Sequence, residues 1–146
     1  MMRINHFVHS FVDTIPEQLA PGTLYIALHY KIAAHLCCCG CGREVVTPLS
    51  PAQWRITFNG ETVSLSPSVG NWNLPCRSHY ILNDGKVLEA DTWSDKQVAY
   101  GQARDKRERE AHYNSKMSPP TKVLPAAQEV APGWWDRLLR HLWSKN

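Results

Sequence analysis

The chain has 146 residues, 43% of them hydrophobic, which suits one small domain with an appendage. Its net charge of +3 comes from the end of the chain, where residues 101–146 carry nine Lys or Arg against five Asp or Glu. An excess this small, without runs of Lys and Arg interleaved with aromatic residues, argues against nucleic acid as a partner. No apolar run approaches the roughly 20 residues that cross a bilayer, and the first residues form no secretory signal. We therefore expect no transmembrane segment and a cytoplasmic location.

Short strands are predicted from the first hundred residues. Residues 24–30 form a β-rich apolar run entered through Pro21-Gly22, and residues 44–47 form a second run that Pro48 stops. Residues 54–58 and 61–65 each alternate apolar and polar side chains on either side of an Asn-Gly pair. Asn-Gly between such runs favours a hairpin with a type I′ turn, because both central residues of that turn need φ > 0. A second hairpin is predicted from residues 78–82 and 86–90.

The character of the sequence changes after about residue 95. Residues 1–95 are predicted to form a β-rich metal-binding domain, and residues 96–116 a largely charged helix. Residues 117–133 contain four prolines and are predicted to be a linker. Residues 134–146 place Trp and Leu at helical spacing, which predicts an amphipathic C-terminal helix. That helix packs on its own domain or docks into a groove on a partner protein; a membrane surface is a third alternative.

The cysteines are the most distinctive feature of the chain. Four of the five fall within residues 37–41, and Cys76 begins a Cys-x-x-His sequence. An odd number of cysteines without a signal peptide is typical of a reducing compartment, where thiols serve metal binding or catalysis. Adjacent cysteines pair poorly with each other, whereas thiolates that converge on one ion explain the spacing. The predicted ligands of a Zn²⁺ ion are Cys37, Cys39, Cys41, Cys76 and His79, with Cys38 and His35 as substitutes.

The zinc ion has two interpretations. Thiolate-rich sites are typically closed and structural, whereas a catalytic site keeps one position open for water. Because zinc takes four donors, at least one of the nearby groups is not a ligand. The sequence leaves both questions open.

A second candidate for chemistry is the segment 66–72, which carries Ser, Pro, Gly and Asn after a predicted strand. Acyl transfer needs a nucleophile, a base within hydrogen-bond reach and donors for the oxyanion. Ser68 or Ser78 is the candidate nucleophile, and His79 or His35 is the candidate base if that histidine does not bind metal. The alternative interpretation is an ordinary turn, since these residue types favour turns.

An ordered series of motifs resembles a family of small bacterial proteins over roughly residues 15–90. The motifs are Ile15–Leu19, Pro21–Tyr25, the Cys-x-Cys-Gly-Cys-Gly sequence from Cys37, Val45–Pro51, Trp54, Phe58-Asn59-Gly60, Ser66-Pro67-Ser68, Gly70-Asn71-Trp72 and Pro75–Tyr80. The resemblance implies that this chain, like members of that family, is encoded beside bacterial relatives of ubiquitin-activating and ubiquitin-conjugating proteins. In the family the position of Cys38 is usually small and not cysteine, which favours Cys37, Cys39 and Cys41 as ligands.

The resemblance implies a peptidase or isopeptidase that processes or deconjugates a bacterial ubiquitin-like protein. In one version zinc is structural and a serine attacks the carbonyl; in the other, zinc-bound water is the nucleophile and Glu44 the acid or base. The alternative function is a non-enzymatic zinc-binding adaptor of a ubiquitin-like conjugation or phage-defence operon, whose C-terminal helix recruits a protein of the conjugation machinery. The expected fold class is α+β, a small hairpin-based, zinc-stapled β domain with a C-terminal helical extension.

Overall fold

The computed structural model describes residues 1–117, which form two four-stranded sheets followed by one helix. The first sheet contains β1 (Val8–Phe11), β2 (Thr23–Ala27), β3 (Ile32–Leu36) and β4 (Glu44–Pro48), in that order. The second sheet contains β5 (Arg55–Phe58), β6 (Val63–Gly70), β7 (His79–Asn83) and β8 (Lys86–Glu89), again in chain order. The helix α1 spans Asp95–Met117. The predicted α+β class, rich in strands and with a helix at its C-terminal side, is confirmed.

The first sheet differs from the prediction at residues 24–30. The single strand expected there ends at Ala27, and a turn stabilised by a hydrogen bond from the Lys31 N–H to the Leu28 carbonyl leads into β3. Lys31 adopts a left-handed φ of 54°, which a continuous strand cannot contain. The strands β1 and β3 were not predicted, because neither has the alternation that marks a half-buried strand.

The two hairpins of the second sheet form at the predicted places. The first turn differs in detail, since the pairing of Phe58 with Val63 leaves four residues in the loop instead of two. The Asn59 side-chain oxygen accepts hydrogen bonds from the backbone N–H groups of Glu61 and Thr62, which stabilises the longer loop.

The segment 66–72 is also different from the predicted loop. The strand β6 continues to Gly70, with an irregularity in its pairing with β7 between Leu65 and Val69. An irregularity of this kind re-aims nearby side chains. Ser68 therefore lies on a strand and not on a free loop.

One hydrophobic core joins the two sheets. Buried side chains from both sheets form a single cluster, including Leu24 and Ile26 of β2, Leu65 and Val69 of β6, and Tyr80 of β7. The cluster also contains Cys37 and Cys38, so the cysteine segment is anchored in the core. Burial of these apolar side chains supplies the main driving force that holds the sheets face to face.

Only some of the predicted domain boundaries lie within the described residues. The helix α1 covers the predicted charged helix of residues 96–116, and only Val98 and Gly101 within it are buried. The predicted linker and the predicted amphipathic helix lie beyond Met117, outside the described residues. Within residues 1–117, no helix is long and apolar enough to span a membrane.

Gly85 provides a test of how the N-terminal segment is fixed to the second hairpin. Gly85 and Gly22 have nearly the same left-handed φ, 74° and 72°. A Cβ on Gly85 would lie 3.1 Å from the His6 ring and 3.2 Å from the Phe7 carbonyl, whereas the closest atom at Gly22 would be 3.5 Å away. We expect Gly22→Ala to lower the free energy of unfolding by about 1–2 kcal/mol through backbone strain alone. Gly85→Ala should lower the free energy of unfolding by more, because the added Cβ also meets His6 and Phe7. Urea denaturation measures both losses, and equal losses would contradict the close approach of the N-terminal segment to Gly85.

Candidate active site and metal centre

Four sulfur atoms converge between the two sheets. The Sγ atoms of Cys37, Cys39, Cys41 and Cys76 all lie within 4.8 Å of one another, in a group that we call the cysteine cluster. Three of them follow β3 in the first sheet, and Cys76 precedes β7 in the second. Gly40 and Gly42 adopt φ values of 81° and 73°, which lets the backbone curl around the sulfur atoms.

The spacing of the sulfur atoms fits a tetrahedral metal ion. Zinc–sulfur bonds of about 2.3 Å in a tetrahedron place the sulfur atoms about 3.8 Å apart. The observed separations are 3.8 Å for Cys37–Cys76, 3.8 Å for Cys41–Cys76 and 3.4 Å for Cys37–Cys39. All five cysteines are free thiols, and these separations are far longer than the roughly 2.05 Å of a disulfide. Four cysteines are thus placed to hold one metal ion.

The thiols of the cluster differ in acidity. Burial raises the pKa of Cys39 to about 12 and also raises that of Cys37. Burial acts in the same direction on Cys76, but hydrogen bonds from Ser78 and from neighbouring thiols lower its pKa to about 7. Metal binding by this cluster must therefore displace protons, as is usual for thiolate ligands.

His79 lies outside the cysteine cluster, and both of its ring nitrogens are engaged elsewhere. Nε2 lies 2.9 Å from the Ser68 hydroxyl, and Nδ1 lies 2.7 Å from the backbone carbonyl of Asp91. A carbonyl oxygen can only accept, so Nδ1 carries the hydrogen and donates it. Nε2 is then the acceptor for the Ser68 hydroxyl, which is the arrangement of a base beside a nucleophile.

The strand pairing explains why these two side chains meet. His79, at the start of β7, lies directly opposite Gly70 of β6, and Ser68 is the next residue of β6 on the same face. Val69, which lies between Ser68 and Gly70 in β6, is buried in the core. Ser68 and His79 are thus diagonal neighbours on the face of the second sheet that points away from the core.

Two tryptophans that stack on each other both contact the His79 ring. The Trp72 ring lies 5.0 Å from the His79 ring, and the Trp93 ring lies 5.3 Å from it, measured between centroids. The two indoles stack on each other at 5.5 Å with an interplanar angle of 17°. His79 is 7% exposed, so this aromatic pair covers much of its ring.

Ser78, the other candidate nucleophile, faces the cysteine cluster. Its hydroxyl lies 3.0 Å from the Cys37 sulfur and accepts a hydrogen bond of 2.9 Å from the Asn71 side chain. Asn71 donates to the Tyr80 hydroxyl as well, at 3.2 Å. Ser78 therefore connects the cluster to β6 and β7, one residue before His79.

His35 and Glu44, the remaining candidates, are placed apart from the Ser68–His79 pair. His35 is fully buried in the core, its Nε2 is 2.8 Å from the Tyr80 hydroxyl, and burial lowers its pKa to about 4. Glu44 is exposed at the start of β4, opposite Leu36, and is not part of the cysteine cluster. The structure thus brings together Ser68 with His79, and Ser78 with the cysteines.

The edge of β6 beside Ser68 has no neighbouring strand within the described residues. Pairing with β5 ends at Ser66, and the Asn71 N–H donates to the Ser78 carbonyl on the β7 side. Because hydrogen bonding alternates along an antiparallel pair, the N–H and carbonyl of Gly70 point away from β7. They face the open edge next to the Ser68 hydroxyl.

Sequence reasoning missed three parts of this site. The carbonyl of Asp91 is a backbone group, and no side-chain pattern identifies such an acceptor. Trp93 precedes a helix, where an aromatic residue is typically part of the packing. Asn71 and Trp72 belong to the quoted Gly-Asn-Trp motif, which was the available signal for them.

Comparison with protein-family models identifies a family for this chain. A family model described as BubE, bacterial ubiquitination-like system serine protease, matches residues 11–90. This chain belongs to the BubE family. No curated protein and no solved structure matches it significantly.

The BubE match covers more than half of the chain and contains both Ser68 and His79. It confirms at a coarse level the expected association with ubiquitin-like systems and the expected peptidase class. A serine protease needs a serine hydroxyl beside a base. Among the described residues, Ser68 is the serine whose hydroxyl contacts a histidine nitrogen.

The cysteine cluster predicts a specific metal content for this BubE protein. We expect the purified chain to contain about one zinc ion, because four thiolates complete a tetrahedral site. Cys76→Ala should lose the metal, since it removes one of the four donors, whereas Cys38→Ala should retain it. Metal content of each purified variant is measured by mass spectrometry. Metal-free wild-type protein, or loss of metal in Cys38→Ala alone, would contradict the assignment.

Proposed function

We propose that this BubE protein cleaves an acyl bond at the C-terminal tail of a bacterial ubiquitin-like protein, with Ser68 as nucleophile and His79 as general base. The observation that carries the proposal is the pair of hydrogen bonds at His79. The bond to the Asp91 carbonyl fixes the tautomer in which Nε2 is free to accept the Ser68 proton. The family supports the reaction class, since it is described as serine proteases of ubiquitination-like systems.

The reaction follows from the positions of these groups. The Ser68 oxygen attacks the substrate carbonyl while its proton moves to His79 Nε2, which forms an imidazolium and an oxyanion. His79 then protonates the leaving nitrogen as the carbon–nitrogen bond breaks, and an acyl ester remains on Ser68. Water, deprotonated by His79, hydrolyses that ester and restores the free serine. The Asp91 carbonyl stabilises the imidazolium without taking its proton.

The metal fits a structural role. Four cysteines complete a tetrahedral set, so no position stays open for a water nucleophile. The four residues of the cysteine cluster would hold the ion, which would cross-link the segment after β3 to the segment before β7. The version with zinc-bound water and Glu44 receives no support from this donor set.

The open edge of β6 is suited to an extended peptide. A substrate tail that adds there as a strand would pair with the N–H and carbonyl of Gly70. This pairing would bring the carbonyl of the substrate bond to be cleaved close to Ser68. Flexible C-terminal tails adopt such extended conformations readily, whereas a folded segment does not. The proposed substrate is therefore a ubiquitin-like protein with residues beyond its tail, or one joined to a target.

A non-enzymatic adaptor of a conjugation or phage-defence operon is the alternative function. It requires no serine–histidine contact, so the proximity of Ser68 to His79 favours the peptidase. Recruitment of a conjugation protein by residues 134–146 is compatible with either function and remains a prediction.

The two candidate serines give a direct test. We expect Ser68→Ala to lower the cleavage rate of a tail-extended ubiquitin-like protein by about 10³-fold or more, because the nucleophile is lost. Ser78→Ala should lower stability by about 1–3 kcal/mol, because the Asn71 amide loses a buried partner, yet cleave at a near wild-type rate. Cleavage is followed by mass spectrometry of the released peptide.

Ser78→Ala is the matched control, since both variants remove one hydroxyl close to His79. Undiminished cleavage by folded Ser68→Ala, or a larger loss in Ser78→Ala, would refute the assignment of the nucleophile. If the wild-type protein cleaves no tail-extended or conjugated ubiquitin-like protein, the adaptor function is favoured.

Strand addition at Gly70 predicts a periodic response to changes in the substrate backbone. In a series of tail peptides with one N-methylated amide each, we expect kcat/KM to fall about 2- to 10-fold at alternate positions. Only every second amide of an added strand donates to β6, and each such bond contributes about 0.5–1.5 kcal/mol. A uniform response along the tail would contradict pairing at this edge.

A further inference from the structure

The family match ends at residue 90, but residues after it also contact His79. Trp93 lies three residues beyond the match and contacts His79 directly, with 5.3 Å between ring centroids and an interplanar angle of 71°. It also stacks on Trp72, which contacts His79 as well. One part of the histidine's environment therefore comes from the segment that begins α1.

The same segment supplies the acceptor for His79. Asp91, whose carbonyl receives the Nδ1 hydrogen, lies two residues before Trp93 and is itself exposed. The Ala90 N–H donates to the His79 carbonyl at 2.9 Å, which fixes the chain just before Asp91. The side chain of Trp93 fixes it just after. The position of the carbonyl thus depends on where the indole is held.

Gly101 of α1 leaves the space that the indole occupies. It is one of two buried residues in the helix, and a Cβ at this position would lie 2.8 Å from Trp93 Cζ3. That separation is shorter than carbon atoms tolerate, and the atom belongs to a rigid ring held in a stack. A methyl group on Gly101 must therefore displace the Trp93 ring, which contacts both Trp72 and His79.

The start of α1 is fixed relative to Trp93 by its own cap. The Ser94 hydroxyl accepts from the Gln97 N–H, and the Gln97 side chain accepts from the Ser94 N–H, which is a capping box. Arg77, two residues before His79, pairs with Asp95 at 2.8 Å. These bonds set the angle at which the helix leaves the sheet and brings Gly101 against Trp93.

We infer that Trp93 and Gly101 are positioning residues for His79, so that the catalytic unit extends past the family match into the second turn of α1. Trp93 restricts rotation of the imidazole and anchors the carbonyl that selects its tautomer. Gly101 permits the close approach that holds Trp93 in place. This inference rests on the proposed Ser68–His79 chemistry.

The test uses the full chain and a fluorophosphonate probe, which needs no knowledge of the substrate. The Ser68 oxygen forms a bond to phosphorus, fluoride leaves, and the hydroxyl proton passes to His79 Nε2. The saturating rate of labelling reports the alignment of the dyad, and the half-saturating concentration reports binding of the probe. Peptide mass spectrometry identifies the labelled serine.

We expect Trp93→Ala to lower the saturating rate by about 10- to 100-fold, the range typical of misplaced catalytic groups, with little change in half-saturation. Trp93→Phe should recover most of the rate, because a ring still packs against His79. A change in half-saturation alone would overturn the inference, since it would make Trp93 a binding residue.

Gly101→Ala gives a second, independent variant that keeps the indole. Alanine raises helix propensity by about 1 kcal/mol over glycine, so this change should strengthen α1. We nevertheless expect slower labelling of Ser68, by about 10-fold, because the added methyl displaces Trp93. Ala99→Gly, at an exposed position of the same helix, is the matched control: it weakens the helix by a similar amount and should label at the wild-type rate.

The outcomes separate the two proposals. If wild-type Ser68 reacts and both Trp93→Ala and Gly101→Ala react equally fast while folded, the positioning role is refuted and the dyad stands. If Ser68 is labelled slowly in Ala99→Gly and fast in Gly101→Ala, the labelling rate depends on helix stability and not on the space for the indole. That result also refutes the positioning role. If wild-type Ser68 does not react at all, the proposed function fails first.

Discussion

The convergence of four cysteines is the constraint on which the arrangement of this protein depends. Three lie after β3 of one sheet and one lies before β7 of the other, so a metal ion held by the cluster would cross-link segments that the chain separates by 35 residues or more. A domain with two small sheets buries limited apolar surface, and metal binding adds directly to its folding energy. The same cross-link would fix the backbone that leads into β7, and His79 is the first residue of that strand.

A continuous set of polar contacts connects the cysteine cluster to His35 in the core. Ser78 contacts Cys37, Asn71 contacts both Ser78 and Tyr80, and Tyr80 contacts His35 in the core. Buried polar groups of this kind specify one arrangement of a core, because every alternative leaves a donor or an acceptor unpaired. Ser68 and His79 thus lie on paired strands, β6 and β7, next to a set of buried hydrogen bonds that holds the end of this pairing in one register.

Much of this arrangement was predictable from local chemistry. Alternating strands around Asn59-Gly60 and the cysteine spacing both point to features that depend on a few adjacent residues. The β3 strand was not predictable in this way, because its residues are buried on both faces and show no alternation. The choice between Ser68 and Ser78 was also beyond the sequence. Both serines lie near His79 in the fold, and only the strand register decides which hydroxyl faces the ring.

The distal part of α1 has a geometric consequence for the molecule. Beyond Gly101 the described helix continues for sixteen residues to Met117, and none of these is buried. At 1.5 Å per residue these sixteen residues form about 24 Å of helix in which no side chain is buried. Met117 is therefore separated from Gly101, the residue that approaches Trp93, by a helix and not by an irregular loop.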